Sequence, residues 1–256
     1  MSSVNDFGAA LMGGKVRTVD LTHPLDPDFP VIILPEQFGQ CAPFKIEEVS
    51  RYDERGPAWY WRNFSCNEHT GTHFDAPVHW ITGKDIPNSS VDTLAVDGFV
   101  RPACVLDFTR EVAADPDFVL TADHIRDWEK KNGEIPHGWW VLLRTDWSKR
   151  EWNDYLNLRE DGAHSPGPDA SAVRLMIERD AVGFGVETVG TDAGQAHGFE
   201  PQYPAHTLLH GAGKFGLQCL ANLDQLPARG ALIIAPPLKI KNGSGSPLRV
   251  LAMIDA

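Results

Sequence analysis

Thiols, positive charge and long apolar runs are all scarce in this chain of 256 residues, and each shortage removes a class of function. The four cysteines, Cys41, Cys66, Cys104 and Cys219, stand far apart with no CxxC pair, so neither a disulfide scaffold nor a thiolate metal cluster is encoded. Lys and Arg number 23 against 35 Asp and Glu, and the net charge of −12 argues against nucleic acid or an anionic membrane as partner. No apolar run approaches the ~18 residues of a membrane span, and residues 1–15 lack the basic start and apolar stretch of a secretory leader. A cytoplasmic protein is the expectation. No repeat, low-complexity tract or linker breaks the composition, so one domain of mixed α/β class is expected over residues 1–256.

Histidine, by contrast, is concentrated. The stretch His69-Thr70-Gly71-Thr72-His73-Phe74-Asp75-Ala76-Pro77-Val78-His79 packs three of the ten histidines and one carboxylate into eleven positions. Two histidines four apart can share an ion on a helix, as in zinc proteases, but Gly71, Pro77 and the β-branched Thr70 and Thr72 oppose a helix here. On a strand the odd-numbered residues share one face, which sends Phe74 and Val78 toward a core. His73 and Asp75 then lie about 6.6 Å apart along the strand, close enough to converge on one ion, and are the first choice as metal ligands. A straight run from His69 to His79 would span roughly 33 Å, so the outer histidines can join the site only if the chain bends, at Gly71 and at Pro77.

Elsewhere, strands are expected around residues 15–22, 58–65, 103–108, 139–145, 181–187, 217–220, 231–235 and 249–254. The 139–145 run is apolar on both faces and therefore central. Helices are expected from Thr121 to about Asn132 with Gly133 as the stop, over 169–180, and as a short turn at 205–210. Trp59, Trp61, Phe64 and Trp80 form either a flat substrate pocket beside the metal or part of the core. His124, His137, His164 and His197 are expected to be structural.

The spacing His69-x3-His73-x-Asp75-x-Pro77-x-His79, with Gly71-Thr72 inside it, resembles the cyclase family of metal-dependent hydrolases. Residues 20–25, 97–103, 143–147, 185–192, 204–206 and 223–230 also look like that family's segments, so the likeness runs through nearly the whole chain. It implies the swivelling β/β/α fold, a homo-oligomer (a dimer or higher), and His79 as general acid and base, a role suited to an imidazole near neutral pH. His206 joins it as a second catalytic candidate. One departure matters. Twelve residues after His206, where the family's formamidases carry a Glu bridging two zinc ions, this chain has Gln218. A neutral amide can ligate through its oxygen but does not hold two divalent ions together, so one ion is expected. Gln218 is therefore either a third metal ligand with His73 and Asp75 or a buried amide, with Gln195 able to take the amide role instead, while His69 either ligates a second ion where one exists or hydrogen-bonds the ligands.

A nitrogen and oxygen donor set without thiolate favours manganese over zinc. Such an ion lowers the pKa of a bound water and polarises a carbonyl, and both effects suit amide hydrolysis. The loop segments 70–80, 81–85 and 191–196 look most like the branch of the family that opens isatin, so the expected substrate is a small aromatic lactam. An arylformamidase acting on N-formylkynurenine and a non-catalytic metal-binding protein are the alternatives.

Overall fold

The structure, a computed structural model, describes residues 3–256; Met1 and Ser2, which open both the leader test and the domain range above, lie outside the described residues. Nine strands form one mixed sheet. Its middle is parallel: Val100–Asp107, Trp140–Arg144, Gly183–Val186 and Phe215–Gln218 run side by side. Antiparallel strands extend it on both sides, with Arg229–Ile234, Leu251–Asp255 and Val16–Asp20 on one flank and His73–Asp75 and Gly245–Pro247 on the other. The sheet curls far enough for Thr22, just beyond one edge strand, to bridge Leu220 near the opposite flank.

Residues 140–143 and 183–186 of the central strands are buried because both faces are covered, as their unbroken apolar sequence requires. One face meets the helices Ala122–Asn132 and Ala170–Glu178, whose Ile125, Trp128, Val173 and Met176 pack against Leu106, Leu143 and Phe184. The first helix begins with a reciprocal cap between Thr121 and His124 and stops at Gly133, whose φ of 85° suits glycine. Asp169 caps the second by accepting from Ala172 N. The other face buries Phe74, Phe99, Trp140, Phe215 and Leu217 in a second core.

The expected mixed α/β architecture and the main sheet strands are present. Among the elements not anticipated are a helix at Ser3–Met12 with no buried residue, the helix Thr109–Ala114, the edge strand Gly245–Pro247 and the strand Lys45–Asp53. Lys45–Asp53 pairs with Gly56–Ser65 in a long hairpin, and its own largely exposed, charged residues offer little apolar periodicity to detect. No helix among the described residues is long and apolar enough to cross a membrane.

Candidate metal centre

Only His73–Asp75 of the histidine stretch is strand, and its position in the sheet explains the site. Alternation sends Phe74, fully buried, into the aromatic core and turns His73 and Asp75 to the other side. Thr70 and Thr72 fix the approach: Thr70 Oγ1 donates to Ala42 O at 3.1 Å, and Thr72 Oγ1 donates to Cys219 O at 2.5 Å. Gly71 between them sits at φ 66°, and a Cβ there would come within 2.8 Å of Leu25. After Asp75 a 3₁₀ turn at Pro77–His79 folds the chain back. Both bends lie where glycine and proline placed them, and together they bring the His79 ring centroid to 3.9 Å from that of His69.

Asp75 is the hub. It is wholly buried, and its Oδ1 lies 2.8 Å from His69 Nδ1 and 3.3 Å from His73 Nε2. His69, Asp75 and His79 offer three ligand atoms within 4.8 Å of one another, and so do Asp75, His206 and His210. The two trios share the one carboxylate. Gln218, opposite His73 in the ladder, donates its amide N–H to Asp75 Oδ2, and its oxygen accepts from Gly190 N at 2.8 Å. The amide thus braces the carboxylate, with its oxygen turned toward the backbone.

Positive charge is what this arrangement calls for. His73 Nδ1 must carry its proton, because its partner at 2.7 Å is the Gly71 carbonyl, which only accepts. A neutral His73 therefore sets its Nε2 lone pair against Asp75, a conflict that a cation among these atoms removes. Burial opposes a charged Asp75, but positive charge placed on the side of His73 and His69 outweighs burial and holds the carboxyl well below the usual carboxylate range, so the carboxylate is paired with whatever cation, proton or metal, sits among these rings. His210 adds to the pattern: its Nδ1 donates to Lys214 O at 3.1 Å, and its buried Nε2 has no partner among the described residues. The donors are imidazole nitrogen and carboxylate oxygen, a set that fits a divalent ion.

The remaining rings are tuned individually. Burial, the largest influence on His79, drives it down to about 2, with the charge of Asp75 acting the other way. His210 falls to about 4, again chiefly through burial. His206 is raised although burial opposes its charge, because Asp192 accepts from its Nδ1 at 2.5 Å. Asp192 also accepts from the backbone N–H groups of Ala205 and His206, at 2.6 and 3.1 Å, and so caps the short Ala205–His210 helix while aiming its first histidine.

Of the residues singled out from sequence, His69, His73, Asp75, His79, His206 and Gln218 come together here. Trp80 joins them, its ring 4.7 Å from that of His206 and its Nε1 donating to Thr207 Oγ1. Trp59, Trp61 and Phe64 do not: they lie on the hairpin, 45%, 57% and 65% exposed, and their ring contacts are with each other and with Phe44. The cavity next to His206, of about 120 Å³, is lined instead by Ile32, Ile33, Tyr155, Leu158, Val189 and Tyr203. Gln195 donates to Ala163 O and lies beside His164, away from Asp75's hydrogen-bond partners. Sequence reasoning passed over His210 and the role of Asp192. The spacing His206-x3-His210 on a helical turn was the available signal.

A family model described as Putative cyclase matches residues 19–193. An isatin hydrolase of Roseibium aggregatum is 50% identical over 256 residues, covering 99% of this chain and 97% of that protein. Among solved structures, isatin hydrolase A from Labrenzia aggregata, bound to benzyl benzoate, superposes with a TM-score of 0.98 at 63% identity, with both chains covered completely. An isatin hydrolase bound to the product analogue thioisatinate gives 0.97 at 49% identity, again over 100% of both chains.

Proposed function

The chain belongs to the cyclase family, and we propose that it opens the cyclic amide of isatin by hydrolysis, giving isatinate. The observation that carries this reading is the set of imidazole nitrogens gathered around Asp75 beside a largely apolar cavity. The full-length likeness to isatin hydrolases, one of them with a product analogue bound, supports the substrate.

In this reading His73 and Asp75 hold one divalent ion, manganese in preference to zinc, and Gln218 braces the carboxylate. Such an ion, when bound, would supply Lewis acidity toward a carbonyl and would make water a stronger acid. His79, kept neutral by burial, takes a proton from the attacking water and returns it to the amide nitrogen as the C–N bond breaks. His206, held through Nδ1 by Asp192, points its other nitrogen at the reacting group and steadies charge on the carbonyl oxygen. The flat substrate lies between Trp80 and the aliphatic wall of Ile32 and Ile33. The working unit is a cytoplasmic homo-oligomer, a dimer or higher, of single-domain subunits. A second copy covers the exposed rings of Trp59, Trp61 and Phe64 and brings them to the substrate.

Purified protein loaded with manganese should bleach the visible absorbance of isatin and act on it faster than on N-formylkynurenine. Unchanged absorbance with every divalent metal tried would reject the proposal.

A further inference from the structure

His69 has two ring nitrogens and two different neighbours. Nδ1 faces Asp75 Oδ1 at 2.8 Å, and Nε2 faces Ser244 Oγ at 2.9 Å. Ser244 Oγ in turn lies 2.6 Å from Glu68 Oε2, which also accepts the Ser244 backbone N–H at 2.9 Å. That short separation is the length of a hydroxyl donating to an ionised carboxylate. A carboxylate only accepts, and a hydroxyl has a single proton, so the Ser244 proton is committed to Glu68. Toward His69 the hydroxyl can then only accept. Nε2 must carry the hydrogen, and the neutral ring presents the lone pair of Nδ1 to the space beside Asp75.

We infer that Glu68 and Ser244 are positioning residues: they fix the tautomer of His69 so that Nδ1 becomes a third ligand of the ion, beside His73 Nε2 and Asp75. This inference rests on the reading that the centre holds a divalent ion. The local chain is built to keep the relay in place. Ser244 sits in a turn entered through Asn242 at φ 57° and accepts from Ala76 N at 2.9 Å, which ties the turn to the segment between Asp75 and His79. Gly245 follows, and a Cβ there would stand 2.6 Å from His69 Cε1 and 2.4 Å from Phe74 O. The ring can reach Ser244 only because that position has no side chain. The His69 backbone is held from the other side, its N–H donating to Asn67 Oδ1 at 2.9 Å. Outer partners of metal-binding histidines ordinarily raise affinity by setting which nitrogen is free, and this pair has the chemistry to do so.

The test is calorimetric titration of manganese chloride into chelator-stripped full-length protein, with the melting temperature recorded with and without metal. Ser244→Ala and Glu68→Gln should each weaken manganese binding about 10–100-fold while the stripped protein melts close to wild type. Ser244→Thr, which keeps the hydroxyl, should return affinity to within about threefold of wild type. At saturating manganese, turnover by Ser244→Ala should recover most of the wild-type value. Wild-type affinity in Ser244→Ala, or a loss that Ser244→Thr fails to restore, overturns the inference and leaves the proposed function standing. A wild-type protein that binds no manganese or zinc overturns both.

Discussion

His164 lies between two carboxylates, with Nδ1 2.6 Å from Asp117 and Nε2 2.9 Å from Asp161, whereas five histidines crowd round Asp75 with Asp192, bonded to His206, as the second acid. Both regions are dense in titratable groups, but the ratio is inverted. Two acids per imidazole make a proton sufficient: hydrogen bonds to Asp117 and Asp161 raise the His164 pKa, and neither ring nitrogen lacks a partner. Five imidazoles share two buried acids, Asp75 and Asp192, which leaves His210 Nε2 without a partner among the described residues, and His79 and His210 are pushed toward the neutral form. The first arrangement clamps a loop. The second asks for a cation that is not a proton.

The contrast is sharpened most by removing His79, the ring proposed to serve chemistry rather than binding. His79→Ala should lower kcat by about 10²–10⁴-fold, the usual contribution of a positioned acid or base, with metal content unchanged. Loss of the ion in that variant would recast His79 as a ligand. A smaller effect is expected from Asp192→Asn, which keeps the size of the side chain but no longer fixes the His206 proton on Nδ1. Turnover should fall roughly 10–100-fold, and steady-state rates at saturating manganese measure it.

The smallest effects belong to the other region. His164→Asn should leave isatin turnover within about twofold and lower Tm by about 2–4 °C, in keeping with roughly 1 kcal/mol of net hydrogen bonding in a chain of this size. The pH dependence carries a sign. Because the folded His164 pKa is raised above its ordinary 6.5, its stabilisation is complete below about 6.5 and is lost as pH rises through the raised value. Melting curves should therefore show the gap between wild type and His164→Asn closing above that range, and a gap that widens there would break the comparison.

Much of the centre was legible because the chemistry is local. Strand parity joined His73 to Asp75 and sent Phe74 to the core, and Gly71 and Pro77 marked the bends that bring His69 and His79 into contact. What was hidden depends on distant pairing. Nothing in residues 205–210 announces that the Ala205–His210 helix packs against the Pro77–His79 turn, so His210 stayed anonymous and Asp192 lacked a role. The aromatic run misled for a related reason. Trp59 and Trp61 alternate like a strand that continues into the odd-numbered histidines, but residues 66–72 break the strand and these rings, with Phe64, stay on a separate hairpin. The partner strand Lys45–Asp53 escaped notice because its charged faces and two register shifts erase the period of two.

The most direct test is the metal content of manganese-loaded, desalted protein measured by atomic emission for wild type, Asp75→Asn and His164→Asn. The account predicts one ion per chain in wild type and in His164→Asn and none in Asp75→Asn. An ion retained after Asp75→Asn, or lost after His164→Asn, would contradict it.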